Sequence, residues 1–172
     1  MFLLKQRSYL PEFVYGSMDG LVTTFAIVTG AVGAGLPAGV ILILGFANVL
    51  ADGFSMGSSS YLSALSEQPL HEHYIEKDPL NKALVTFSSF VLIGIIPILP
   101  FVASFVAPEF YTFATATSVI TTLIAFACVG AFSGAVLKES KLRNAARNVF
   151  IGGLAALISY GVGFGLAQVF GI

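Results

Sequence analysis

Charged residues are scarce in this chain: eight Lys and Arg and nine Asp and Glu make up 10% of its 172 residues. Soluble domains carry about 25% charged residues, so the polar surface that would cover a water-soluble globule is missing. The scarcity excludes a cytosolic enzyme and a disordered tail. The single cysteine, Cys128, cannot form an internal disulfide, which excludes a secreted disulfide scaffold. The net charge of −1 lacks the basic excess that is typical of nucleic-acid-binding proteins.

Hydrophobic residues are abundant instead, at 56% of the chain, and the mean hydropathy is +0.91. A transmembrane helix needs about 20 mostly apolar residues, and five stretches meet this need. They lie at about 11–32, 38–62, 83–106, 110–137 and 148–170. Pro97 and Pro100 predict a bend in the third. We therefore predict an all-α, polytopic membrane protein, with residues 1–172 forming a single domain of five transmembrane helices.

The basic residues all fall on one side of this predicted topology. They precede the first span, occupy the loop 63–82 and join the fourth span to the fifth: Lys5, Arg7, Lys77, Lys82, Lys138, Lys141, Arg143 and Arg147. By the positive-inside rule, the N-terminus and the loop 63–82 are cytoplasmic. With no targeting segment in view, we expect a prokaryotic plasma membrane, or the vacuolar membrane if the protein is eukaryotic.

Five spans cannot divide into two equal inverted halves, so any two-fold symmetry would come from a second subunit. Glycines four residues apart let helices approach closely. Three such pairs occur in the first, fourth and fifth spans: Gly16 and Gly20, Gly130 and Gly134, and Gly161 and Gly165. Packing within one bundle is the more ordinary explanation for any one pair, and a dimer contact is the alternative.

Two carboxylates, Asp19 and Asp52, lie well inside apolar spans. A charged residue at the bilayer centre costs about 2.5–3.5 kcal/mol on insertion scales, so such residues usually serve a transport pathway. If the first two spans form a hairpin, Asp52 returns to the level of Asp19. Asn48, Asp52 and Met56 follow an i, i+4, i+8 spacing and share one helix face.

No Lys, Arg or His lies within any of the five spans to neutralise these acids. The acids must therefore be protonated or paired with a cation from outside the protein. Two carboxylates that exchange two protons for one divalent cation keep the site neutral. The thioether of Met56 favours a transition metal over Mg²⁺ or Ca²⁺, although methionine in an apolar helix is more often core filler.

The strings SMDGLVTTF and ADGFSMGSSSYLS in the first two spans, GIIPILPF in the third and IGGLAAL in the fifth resemble the vacuolar iron transporter family. The resemblance covers nearly the whole chain. It implies a symmetric dimer of five-helix subunits that exports Fe²⁺, and often Mn²⁺, in exchange for protons. The implied ion path lies between the subunits, with no permanently bound cofactor.

The resemblance also implies roles for particular residues. Asp19 and Met56 match metal ligands of the path, with Asp19 also carrying protons. Asn48 stands where some members have glutamate. Apart from the resemblance, we expect Asp52 and Asn48 to be supporting groups of the metal site, with Asp52 as the second proton-coupling group. A helix contact is the alternative role for Asp52.

The loop 63–82 departs from the plant-type members of that family, which insert a long acidic helical domain there. This chain has only SALSEQPLHEHYIEKDPLNK. Imidazole and carboxylate groups bind Fe, Mn or Zn, so His71, His73 and Glu76 are weak candidates for a cytoplasmic metal site. A solvated charged loop is the more ordinary interpretation.

Other functions remain open at this stage. Residues 53–57 satisfy the hydrolase pattern G-x-S-x-G, but Ser55 lies within a helical span without a nearby base, so we expect no enzyme. A non-transporting scaffold or regulatory subunit would explain the glycine faces, and leaves the two acids unexplained. A proton-coupled carrier of another cation is the third possibility.

Overall fold

The computed structural model describes residues 9–67 and 78–171, and this part of the chain is helical, without strands. The all-α prediction is confirmed. The α-helices are α1 (Leu10–Gly33), α2 (Ala38–Glu67), α3 (Pro79–Gly94), α4 (Leu99–Val106), α5 (Ala114–Leu137) and α6 (Lys141–Phe170). Short 3₁₀ segments at Ile96–Ile98 and Pro108–Phe113 precede α4 and α5.

Four helical segments are long and apolar enough to cross a membrane: α2, α3 with α4, α5 and α6. Helix α1 is not among them, and it carries the acids Glu12 and Asp19. It packs against α2, α3, α5 and α6 and thus forms the centre of the bundle. Leu21 and Phe25 of α1 are buried against α5 at Phe126. A helix enclosed by others can carry polar groups that a lipid-facing helix cannot.

Two helices extend into the predicted loop 63–82. Helix α2 continues to Glu67, and α3 begins at Pro79. The carboxylate of Asp78 accepts a hydrogen bond from the backbone N–H of Leu80, at 2.9 Å, and so caps α3. Hydropathy identifies only the apolar part of a helix. The predicted loop 63–82 is therefore longer at both ends than the segment between α2 and α3 in the structure.

Helix α6 likewise begins at Lys141, seven residues before the predicted span. Ser140 precedes it with extended backbone, and its hydroxyl accepts from the N–H of Arg143 at 3.4 Å. The first two turns of α6 are therefore polar and basic. They continue the helix beyond its apolar length, because backbone hydrogen bonds and a cap suffice to form it.

The predicted bend in the third span is a break between α3 and α4. Pro97 and Pro100 lie in and just after the 3₁₀ segment Ile96–Ile98, and both are buried. Ser118 of α5, which is completely buried, donates its hydroxyl to the carbonyl of Pro97 at 2.6 Å. An interhelical bond thus satisfies a carbonyl inside the break.

Ser118→Ala should therefore lower the free energy of unfolding by about 1–2 kcal/mol, because the Pro97 carbonyl loses its partner while staying buried. Thermal or denaturant unfolding of the purified protein in detergent measures the effect. Thr117→Ala is the matched control, since Thr117 is exposed on the same helix. Equal stability of the two variants would contradict the assigned role of Ser118.

Two of the three glycine pairs pack inside the chain. A Cβ atom added to Gly20 would lie 2.5 Å from the carbonyl oxygen of Phe90 and 3.2 Å from the Cα of Gly94, so α1 and α3 touch backbone to backbone. Gly130 and Gly134 of α5 have the same relation to the first turns of α6, around Asn144. Bundle packing explains both pairs.

The third pair lies on an open face. Added Cβ atoms at Gly161 and Gly165 would have nothing within 4 Å among the described residues. Helix α6 instead meets α1 through Gly163, whose added Cβ would strike the backbone of Gly30. The hydroxyl of Ser159 donates to the carbonyl of Ala26 at the same crossing.

Candidate functional site

Helices α1 and α2 form an antiparallel hairpin. At the end of α1, the N–H of Gly35 donates to the carbonyl of Val32 at 3.0 Å, and that of Leu36 donates to Ala31 at 2.9 Å. Gly35 has a φ of 70°, which glycine adopts without steric cost. This cap turns the chain immediately after α1, so α2 runs antiparallel beside α1.

The hairpin places Asp19 of α1 and Asp52 of α2 on two helices that pack against each other. Both side chains are half-buried. Neither α1 nor α2 contains a Lys, Arg or His, so these acids have no cationic partner on their own helices.

Asn48 lies one turn before Asp52, and its Nδ2 donates a hydrogen bond to Oδ2 of Asp52. The other amide atom, Oδ1, is buried and has no hydrogen-bond partner within the described parts of the chain. Leaving a buried carbonyl oxygen unpaired costs free energy. That oxygen is therefore an uncommitted acceptor beside the acids, available to a cation or a water molecule.

Met56 lies one turn after Asp52 on the same continuous helix, and it is half-buried. Asn48, Asp52 and Met56 thus share a stripe of α2, as their spacing indicated. Thr23 lies one turn after Asp19, but its hydroxyl donates to the backbone carbonyl of Asp19 at 2.8 Å. The hydroxyl of Thr23 is therefore committed to its own helix.

A single chain does not bring together a full set of charged metal ligands in residues 9–67 and 78–171. No group of three or more His, Cys, Asp or Glu residues is found there with a geometry that could hold a metal ion. The weak candidates His71, His73 and Glu76 lie outside the described residues. Asp19 and Asp52 are the acidic pair that the fold assembles.

Three hydroxyl groups in the core were not identified from the sequence. Ser17, Thr24 and Thr122 are fully buried, and their hydroxyls find no partner within the part of the chain that the structure describes. Ser17 and Thr24 are seven residues apart, about two helical turns, so their common face was readable from spacing. Nothing in the sequence distinguishes Thr122 from the exposed threonines of α5.

The sequence profile of the VIT family matches residues 10–78 and 70–164 of this chain, which is most of its length. The chain belongs to the VIT family. The two matched segments overlap at residues 70–78, which lie between α2 and α3 in the sequence. That is where the sequence analysis placed the departure from plant-type members.

Proteins named as vacuolar iron transporters or their homologs align with this chain, two of them over nearly its whole length. The vacuolar iron transporter of Toxoplasma gondii (strain ATCC 50861 / VEG) is 25% identical over 229 residues, covering 95% of this chain and 76% of the relative. Vacuolar iron transporter homolog 5 of Oryza sativa subsp. japonica is 29% identical over 182 residues, covering 98% and 83%. A Plasmodium berghei (strain Anka) vacuolar iron transporter is 36% identical over 83 residues, covering 44% and 30%.

These matches and the apolar helices make the chain an integral membrane protein. The relatives are named as transporters, which agrees with the expectation that this chain is not an enzyme.

Proposed function

We propose that this VIT family member exports Fe²⁺, Mn²⁺ or both from the cytoplasm in exchange for protons. The observation that carries the proposal is the pair of half-buried acids, Asp19 and Asp52, on two packed helices that contain no basic residue. Asp19 is the principal metal ligand and proton carrier. Asp52 is the supporting ligand and the second proton-coupling group.

The charge balance of this pair explains antiport. With two protons bound, the two acids are neutral; with a divalent cation bound, they are neutral again. The intermediate state with two free carboxylates is disfavoured, because negative charge in an apolar segment without a basic partner costs free energy. Metal therefore enters the site as protons leave it, and the reverse exchange reloads the protons.

The remaining ligands favour a transition metal. The thioether of Met56 is a soft ligand that suits Fe²⁺ or Mn²⁺ better than Mg²⁺, and Oδ1 of Asn48 adds an uncommitted oxygen. The names of the relatives support iron as a substrate.

A homodimer completes the site. One chain offers two acids and no group of three charged ligands within the described residues, whereas two chains facing each other across α1 and α2 would double every ligand. The pore would then run along the interface. Helix α1 would line that pore, which fits a central helix that is less apolar than the other four.

The orientation of the protein in the membrane follows from the basic residues. Lys82, Lys138 and the start of α6 lie at the end of the bundle where α1 begins, which the positive-inside rule makes cytoplasmic. Export from the cytoplasm is the same direction in a prokaryotic plasma membrane and in a vacuolar membrane. All five spans, with α1 included, are part of this proposal.

Purified protein in proteoliposomes should take up Fe²⁺ and Mn²⁺ while a pH dye inside the vesicles reports proton exit. Mg²⁺ should neither enter nor compete, because the site contains a soft ligand. Empty liposomes are the control. Metal entry without proton counterflow would contradict antiport, and the absence of any metal flux would favour a scaffold.

In the same assay, Met56→Leu tests the ligand set, because leucine keeps the volume and removes the sulfur. We expect about a ten-fold loss of Fe²⁺ transport rate relative to the parent, the scale of losing one group from a metal site. Met18→Leu is the matched control on α1. Equal Fe²⁺ transport rates for the two variants would show that Met56 is not a ligand of the site.

A further inference from the structure

Two threonines of the core, Thr24 of α1 and Thr122 of α5, are completely buried, and their hydroxyls make no hydrogen bond to any residue that the structure describes. Other hydroxyls in these helices donate to the backbone carbonyl four residues earlier, as those of Thr23, Thr29 and Thr121 do. A threonine in a helix can adopt the rotamer that makes this bond. Thr24 and Thr122 forgo it, although an unpaired buried hydroxyl costs free energy. Their orientation therefore indicates a hydrogen-bond partner outside their own helices.

The two threonines lie in the same layer of the bundle. Leu21 and Phe25 of α1, on either side of Thr24, belong to one packed cluster with four residues of α5 that lie on both sides of Thr122: Val119, Ala125, Phe126 and Val129. The ring centroids of Phe25 and Phe126 are 6.3 Å apart. No direct hydrogen bond joins Thr24 to Thr122. A link between their hydroxyls therefore requires a small bridging molecule.

The break between α3 and α4 adjoins Thr24. Helices α1 and α3 run side by side in the same direction, and a Cβ atom added to Gly20 would lie 3.2 Å from the Cα of Gly94. Thr24 is one turn beyond Gly20, and the 3₁₀ segment Ile96–Ile98 begins just beyond Gly94. This segment packs against both α1 and α5. Thr24 is therefore level with the break.

Thr122 adjoins the same break from α5. Ser118, one turn before Thr122 on the same helix face, donates its hydroxyl to the carbonyl of Pro97 at 2.6 Å. Pro97 has no N–H, so it cannot donate to the carbonyl of Ile93, as a residue of an uninterrupted helix would. The N–H of Ile95 reaches that carbonyl instead, and a backbone carbonyl has a second lone pair. Ile93 packs against the same cluster, so its carbonyl is a further acceptor in this layer.

We infer that one buried water molecule bridges the hydroxyls of Thr24 and Thr122 at the break between α3 and α4. The water accepts a hydrogen bond from one hydroxyl and donates to the other, and its second proton is directed to the carbonyl of Ile93. Internal waters typically make about three hydrogen bonds to buried polar groups that would otherwise be unpaired. Hard cations take about six or more oxygen ligands, and two hydroxyls and one carbonyl are too few. The water links α1 and α5 to the broken span through an otherwise apolar layer.

Thr122→Val tests the inference, because valine keeps the branched shape of threonine and replaces only the hydroxyl. Thermal unfolding of the purified full chain in detergent measures the effect. We expect the Tm to fall by about 2–4 °C, because the water loses one of its partners. A hydroxyl without a partner would give the opposite sign, since valine would remove the cost of burying it. An unchanged or raised Tm would therefore overturn the inference.

Thr117→Val is the matched control, since Thr117 is exposed on the same helix, and its Tm should stay within about 1 °C of the parent. Thr24→Val should lower the Tm as Thr122→Val does. The variant with both substitutions should lose less than the sum of the two single losses, because each single variant already disturbs the same water. Additive losses would show that the two hydroxyls do not share a water molecule, and would contradict the inference.

An experimental density map that resolves ordered water should show one water molecule between Thr24 and Thr122 in the parent and none in the double variant. A parent map without that density would also overturn the inference. Replacing Na⁺ in the buffer by choline should leave the Tm unchanged, and a Tm that rises with Na⁺ concentration would assign the site to a cation instead. None of these measurements depends on metal transport, so the water site and the proposed exporter can fail independently.

Discussion

Asp19→Asn is expected to reduce metal-driven proton exit by at least about 100-fold, the upper end of what loss of a supporting group costs a metal site. Asparagine keeps the size of the side chain and can neither release a proton nor carry a negative charge. Both halves of the exchange should therefore fail together. Initial rates of Fe²⁺ entry and internal pH change in proteoliposomes measure them separately.

Asp78→Asn is the matched control for this substitution. Asp78 is exposed and caps α3, and asparagine caps a helix about as well as aspartate does. The control should transport at the parental rate. If Asp19→Asn also did so while folding normally, the acid pair would have a structural role, and the proposed site would be wrong.

Gly20→Ala is expected to destabilise the protein by about 1–3 kcal/mol, because the new methyl group would lie 2.5 Å from the carbonyl oxygen of Phe90. The opposing atoms are backbone, so no side-chain rotation relieves the overlap. Helices α1 and α3 would have to separate. Thermal unfolding in detergent measures the loss, and size-exclusion chromatography checks that the variant remains folded.

Gly161→Ala is the informative comparison, since it is the same substitution at a glycine with the same four-residue spacing. The added methyl group meets nothing within the described structure. Alanine favours helix over glycine by up to about 1 kcal/mol, so this variant should be as stable as the parent or more stable. A large loss at Gly161 would reveal a second chain on that face of α6.

The residues of the candidate site could be predicted from the sequence, because the prediction depends only on residue types and on their spacing along the chain. Asp19 and Asp52 stand out as acids in apolar segments, and the absence of basic residues from the same segments is visible without coordinates. A one-turn spacing also placed Asn48 beside Asp52, and Asn48 donates its Nδ2 to that carboxylate.

The glycine pairs show where such reasoning ends. The pairs beginning at Gly16, Gly130 and Gly161 have identical spacing. Two of them face a neighbouring helix of the same chain, and the third meets none of the residues that the structure describes. Spacing identifies a face, and only the positions of the other helices decide what lies opposite. The α1–α6 contact uses Gly163 with Gly30, a pair far apart in sequence that no local pattern connects.

The sequence by itself determined the membrane character of this protein, its helical class, and the presence of two acids in apolar segments. Each of these depends on local composition and on the free energy of placing charge in lipid. Only the tertiary structure decided that α1 is the central helix and that Ser118 bridges the break at Pro97. These depend on which helices meet, and the meeting is set by shape complementarity between segments distant along the chain.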